Sequence, residues 1–224
     1  MLDQHSHNTQ ENSLKPTFSV KETIAHDKEN LPEDVMVLYK LNDIDRFMES
    51  SCDLAICNIS FPKGFDQLID ECLEKKWLET VKTKDLQTLM ASISPEAQTI
   101  LAPYLPIVES LWKHLKVSTR LTLKAVNDQM CPLFHVDNLK MRMIVTLKGP
   151  GTQWLKSEDV IRQNLGKGGK KPISRANANL QEVQVGQVAI LKGAAYPGSK
   201  GLVHRSPGVS EDEQRLFLRF DFDF

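Results

Sequence analysis

Residues 131 to 155 read CPLFHVDNLKMRMIVTLKGPGTQWL. Two runs, LFHVD and MRMIVTLKG, alternate with the period of an extended strand and are parted by turn residues. Successive side chains of a strand point to opposite faces, so His135 and Asp137 fall on one side and Val136 on the other. An imidazole nitrogen and a short carboxylate that reach the same point suit a first-row divalent ion. A second histidine would complete a face of two histidines and one carboxylate with positions left open. His204, in GLVHRSP, is the natural third member. Taken alone, an HxD spacing is weak evidence, because a histidine near a strand end followed by an acidic turn residue is common. The order of the segments around it strengthens the reading.

Working outward, the chain after Val117 is a succession of short strands separated by Gly, Pro, Asn and Asp: STRLTLKAV, LFHVD, MRMIVTLKG, TQWL, VQVGQVAILKG, GLVHRS and RLFLRFDF. Strands at this spacing without long helices between them predict a sandwich or barrel over 117–224. One interruption, Lys156 to Glu182, holds the basic run GKGGKKPISR, and a loop this long in a compact domain commonly serves as a lid or binding loop. GKGGKK lacks the spacing of a nucleotide-binding P-loop.

Upstream, 34–116 is mostly helical in period, with one strand candidate at Leu54 to Ile59. A helix is predicted from about Phe65 to Thr80, with Leu68, Ile69, Cys72, Leu73 and Trp77 on its buried face. A second is predicted over roughly Lys84 to Ala91. A third follows the cap Ser94-Pro95-Glu96 and is split by Pro103 and Pro106. This region reads as a helical buttress for the barrel, and the lone His114 receives no role. Residues 1–33 are polar and read as a disordered tail, in which His5 and His7 are solvated rather than ligands.

At 224 residues, 41% of them hydrophobic, one good-sized domain is expected. A formal net charge of −1 gives no bias toward nucleic acid or an anionic membrane, so neither partner is expected. The four cysteines, at 52, 57, 72 and 131, form no CxxC pair, which favours reduced thiols in a cytoplasm. No signal peptide or membrane span is visible.

Alternation along RLFLRFDF puts Leu216, Leu218, Phe220 and Phe222 on one face and Arg215, Phe217 and Arg219 on the other. If the helices cover the Leu/Phe face, the arginines point inward, and an interior arginine implies an anion. MRMIVTLKG repeats the pattern with Arg142, Ile144 and Thr146, so Arg142, or Arg120 on STRLTLKAV, is a second candidate anchor. Cys131 precedes His135 by four residues and is either a small buried side chain or a fourth ligand that would close a tetrahedral zinc site.

The order of HVD, three intervening strands, His204 and a final arginine-bearing strand resembles the double-stranded β-helix (a jelly-roll or cupin-like barrel) of iron- and 2-oxoglutarate-dependent oxygenases. That resemblance implies an α+β protein with Fe(II) on His135, Asp137 and His204. It further implies 2-oxoglutarate anchored by Arg215, with Arg219 or Arg142 beside it. At CPLFHVDNLKMRMIVTLKGPGTQWL, ILKGAAYPG, GLVHRSP and RLFLRFDF the chain is also similar to the bacterial domain-of-unknown-function family 1826, which has no established activity. The leading expectation is a non-haem Fe(II)/2-oxoglutarate oxygenase acting on an anionic small molecule or side chain, with Trp154, Tyr196 and the 156–182 loop around the substrate. The alternatives are a non-catalytic zinc protein for storage, sensing or delivery, and a cupin-like metalloenzyme that works without 2-oxoglutarate.

Overall fold

The computed structural model describes residues 32, 34–210 and 212–223, so the expected tail, with His5 and His7, lies outside the described residues apart from residue 32. The first half carries β1 (Val35–Val37), α1 (Asp43–Glu49), β2 (Leu54–Asn58), α2 (Phe65–Glu74), β3 (Leu78–Thr83), α3 (Leu86–Ser92), α4 (Pro95–Leu101) and α5 (Leu105–Leu115). The second half carries β4 (Thr119–Val126), β5 (Met141–Lys148), β6 (Gln153–Trp154), β7 (Gln181–Glu182), β8 (Gln187–Lys192), β9 (His204–Arg205) and β10 (Arg215–Phe222).

Local chemistry explains several helix boundaries. Asp85 accepts a hydrogen bond from Thr88 N at 2.7 Å to start α3, and Ser94 accepts one from Ala97 N at 3.2 Å to start α4, with Pro95 in the first turn. Pro103 and Pro106 do part this stretch, leaving a short 3-10 turn, Ala102–Tyr104, between α4 and α5. The helix expected to run from 65 to 80 stops at Glu74 instead. Lys76 adopts a left-handed φ of 47°, and the hydrogen bonds Lys76 N to Leu73 O and Trp77 N to Cys72 O close the helix end. The next segment, Leu78–Thr83, pairs with β4 as an edge strand.

The architecture is α+β with one large sheet of order β1-β2-β8-β5-β10-β4-β3, antiparallel except for the β1/β2 pair. The region 34–116 therefore contributes three strands to this sheet as well as the helices that cover it. Along β10, Leu216, Leu218, Phe220 and Phe222 enter the main core with Phe47, Ile69, Tyr104 and Leu111 from the helical layer. Phe217 enters a second core on the opposite side, with Trp154, Ile144, Leu191 and Leu202. The helices thus take the apolar face of β10 and leave its arginines on the other.

A small sheet, β7-β6-β9, faces that second side. The closed barrel expected from strand counting is not formed among the described residues. β6, β7 and β9 are two residues each, too short to hydrogen-bond around to the large sheet. LFHVD is likewise an isolated bridge between His135 and His204 rather than a strand. Pro132 has no N–H to give, and Ser206 N donates to Cys131 O, so the pairing shifts and does not propagate. All four cysteines are free thiols, and no helix among the described residues is long and apolar enough to cross a membrane.

Candidate metal centre

The second side of the large sheet presents Arg142, Ile144 and Thr146 from β5 and Arg215, Phe217, Arg219 and Asp221 from β10. Against it lies the 131–137 segment, tied to β9 by two hydrogen bonds, His135 N to His204 O at 2.9 Å and His204 N to His135 O at 3.0 Å. That pairing brings the two imidazoles together, their ring centroids 4.6 Å apart. Ala194 N donates to Asp137 O at 2.9 Å and so fixes the backbone of the acidic residue. Gly193 and Gly201 permit this approach: a Cβ on the first would meet the carbonyls of Leu139 and Asp137, and one on the second the side chain of Val136.

His135, Asp137 and His204 converge, with one ligand atom from each lying within 4.8 Å of the others. His135 Nε2 is 3.6 Å from Asp137 Oδ1, and His204 Nε2 is 3.3 Å from Asp137 Oδ2. Separations of roughly 3 to 4 Å are what bonds of about 2 Å to one ion require. Each ring also has its other nitrogen occupied: His135 Nδ1 donates to Leu133 O at 2.9 Å and His204 Nδ1 to Leu202 O at 3.1 Å. A carbonyl can only accept, so both Nδ1 atoms carry a proton, and a ring that is neutral turns its Nε2 lone pair inward. His204 Nε2 is buried without a well-angled hydrogen bond, as a ligand atom facing an ion site would be, while Asp137 Oδ2 faces both His204 and Arg142. The donor set fits a first-row divalent metal.

Electrostatics favour the carboxylate form. Burial works against the Asp137 charge, but contacts with His135 and His204 and the positive charge of Arg142 outweigh it and hold its pKa well below the usual carboxylate range. Reciprocally, the Asp137 contact raises the His135 pKa, against burial and with help from Leu133 O. Arg142 Nη1 sits 2.6 Å from Asp137 Oδ2, and its Nε donates to Asp221 Oδ1 at 2.6 Å. Asp221 Oδ2 in turn lies 3.0 Å from Arg219 Nε.

Arg215 differs from these two arginines. It is 3% exposed and, among the described residues, has no carboxylate within ion-pair range; Nη2 donates to Thr146 Oγ1 and Thr152 Oγ1, both at 3.1 Å, and Nε has no partner. Burial pushes its pKa down to about 10, with Glu182 opposing from a distance. It lines a cavity of about 40 Å³ together with His135, His204, Arg219, Phe217 and Thr152. A buried, uncompensated cation facing a cavity is costly unless an anion joins it.

Other expected residues fall elsewhere. The second anchor, Arg142, is engaged by two carboxylates. Cys131 stands exposed on the cavity rim, outside the ligand group. Trp154 pairs with His204 in the small sheet and is buried in the second core, so it supports the site rather than lining it. Tyr196 is remote: its hydroxyl donates to Met48 O at 2.6 Å, and it packs against the main core and lines a separate pocket with Lys192. Sequence reasoning does not single out Asp221 or Thr152, although alternation along β10 already sets Asp221 on the arginine face.

The family model described as Protein of unknown function (DUF1826) matches residues 39–221. No curated protein matches the sequence. Among solved structures, the fold is similar to that of a bsmA homolog from Methylobium petroleophilum PM1, at 10% identity and a TM-score of 0.52, over 87% of this chain and 97% of that one. It is also similar to an oxidoreductase of the 2OG-Fe(II) oxygenase family from Burkholderia pseudomallei, at 8% identity and TM-score 0.45, over 84% and 94% of the two chains. Neurospora crassa T7H, solved in complex with alpha-KG, aligns at 10% identity and TM-score 0.43, over 84% of this chain and 83% of that one. At such identities the likeness is one of fold.

Proposed function

The chain belongs to the DUF1826 family of proteins of unknown function, and from the site it carries we propose that it is a non-haem Fe(II) oxygenase that uses 2-oxoglutarate. One observation carries the reading: two Nε2 atoms and a carboxylate converge beside a cavity that also holds the buried, acid-free Arg215. Two histidines and one carboxylate leave coordination positions open, which suits non-haem Fe(II) and binding of a co-substrate.

Each residue has a definite task in this reading. His135 and His204 offer Nε2, and Asp137 offers its carboxylate, turned by Arg142. Arg215 pairs with the far carboxylate of 2-oxoglutarate, its fork steadied by Thr146 and Thr152. Iron held here would supply oxygen activation coupled to oxidative decarboxylation of the 2-oxo acid. Met130 and Cys131, the exposed residues of the cavity lining, stand at its open end. Cys131 stays out of the ligand group, which disfavours a closed zinc site, and Arg215 disfavours a metalloenzyme with no anionic co-substrate.

The test is purification without oxygen, metal analysis, and measurement of succinate formed from 2-oxoglutarate with added Fe(II), ascorbate and oxygen. Uncoupled turnover needs no known substrate. Iron-loaded protein that neither binds nor consumes 2-oxoglutarate would sink the proposal.

A further inference from the structure

We propose that the site acts on a side chain of an acidic polypeptide segment laid across its mouth and held by Lys167, Lys170 and Lys171; this rests on the oxygenase reading above. Space is the first argument. The cavity of about 40 Å³ is lined by His135, His204 and Arg215, so in this reading the 2-oxo dicarboxylate takes it and the substrate is met at its rim. A carrier that docks there offers its reactive side chain from outside.

The rim has the composition of a docking surface for polypeptide. Met130 is 37% and Leu133 51% exposed, two flexible aliphatic side chains flanking Cys131. Arg205, also on the cavity wall, stacks its guanidinium 4.4 Å from the ring centre of Phe134. The 156–175 loop reaches this rim, because a Cβ on Gly169 would lie 3.3 Å from Leu133 Cδ2. That loop carries six basic residues against two acidic ones.

The loop is held in shape rather than trailing in solvent. Arg162 donates to Lys200 O at 2.8 Å and Gly201 O at 3.0 Å, and Asn164 Nδ2 donates to Pro172 O at 2.7 Å. Val160 and Ser174 form a bridge across its neck. The three lysines are exposed, and among the described residues no carboxylate lies within ion-pair range of them. Their charge complements an acidic partner. A single-stranded nucleic acid would need aromatic platforms for its bases. Among the described residues the exposed aromatic is Tyr39, which lies between β1 and α1.

The test measures fluorescence anisotropy of a labelled Glu-rich peptide with interspersed Leu and Ser on the full-length protein. Its Lys-rich twin and labelled oligo(dT) and oligo(rU) are run alongside. The Glu-rich peptide is expected to bind, to weaken with added salt, and to bind about tenfold or more weakly to the K167E/K170E/K171E protein. The milder K167Q/K170Q/K171Q protein is expected to fall between, and K113E, on α5, to match the unsubstituted protein. Equal binding of the Lys-rich twin, or full affinity in the triple glutamate protein, overturns the proposal. So does tighter binding of either oligonucleotide. Iron and 2-oxoglutarate binding are read separately on the unsubstituted protein, so failure of the oxygenase reading is seen independently of the peptide result.

Discussion

Arg142 Nη1 lies 2.6 Å from Asp137 Oδ2, so the only carboxylate of the candidate centre is oriented by a cation that also binds the buried Asp221. Replacing Arg142 with Met frees Asp137 and leaves Asp221 with Arg219 as its cation. The expected result is a loss of about 10- to 100-fold in Fe(II) affinity. A loss of about 3 kcal/mol in folding stability should accompany it, as when one partner is removed from a buried pair. Anaerobic metal titration and urea unfolding check both; unchanged metal affinity would show that Asp137 needs no such support.

Arg215→Met separates binding from stability. Removing a buried cation that has no acid removes an unfavourable charge, although Thr146 and Thr152 each lose a hydrogen-bond donor. The variant should be at least as stable as the native protein by thermal unfolding. Its affinity for 2-oxoglutarate should fall by about 100-fold or more, the loss of a desolvated charge-assisted pair. A strong drop in melting temperature with affinity retained would reverse both roles.

Acid and base act oppositely on the metal-free site. Asp137 has a lowered pKa, so its contribution to stability is present above about pH 4 and is lost as pH falls through the folded value. His135 has a raised pKa, so its contribution is full below about pH 6.5 and is lost as pH rises through the folded value. Together they contribute most between these limits. Metal binding must displace the His135 proton, so the stabilisation by Co(II) should grow as pH rises beyond about 6.5. Melting curves with and without Co(II) across this range give the answer, and a pH-independent difference would count against His135 as a ligand.

Gly193→Ala should damage the centre from behind. Its new Cβ would collide with the carbonyls of Leu139 and Asp137, and overpacking of this kind costs about 1–3 kcal/mol. Metal affinity should fall with it. Gly208→Ala, whose Cβ would meet nothing within 4 Å, is the control and should leave both unchanged.

Thiol reactivity should report the mouth of the site. Cys131 is exposed, whereas burial pushes the Cys57 thiol up to about 12. Ellman's reagent should therefore modify Cys131 well before Cys57, and the modified protein should bind 2-oxoglutarate more weakly. Equal rates at the two positions would contradict the burial.

The parts of this molecule that were legible from sequence are those governed by strict alternation. β10 and β5 each put an unbroken apolar row on one face and their arginines on the other, so which face the helices would cover, and which the arginines would occupy, followed from the pattern. Where backbone conformation departs from the residue's habit, the pattern misled. Lys76 ends α2 in a conformation usually left to glycine, so nothing in the sequence marked the end of the helix or the edge strand beyond it. His135 and Asp137 do converge with His204, but through an irregular segment held by β9 and Ala194 rather than through a regular strand. Tyr196 is one of the residues expected around the substrate. The turn that carries it points its hydroxyl at Met48 instead, a long-range contact that no local spacing encodes.

The two imidazoles are each held by the carbonyl two residues earlier in their own chain segment, Leu133 for His135 and Leu202 for His204. Their rotational freedom is thus already lost when the polypeptide folds, and an arriving ion has little disorder left to remove at either ring. Ion capture then spends its entropy on shedding water rather than on arranging protein, and the metal-free and metal-loaded forms should differ more in stability than in shape.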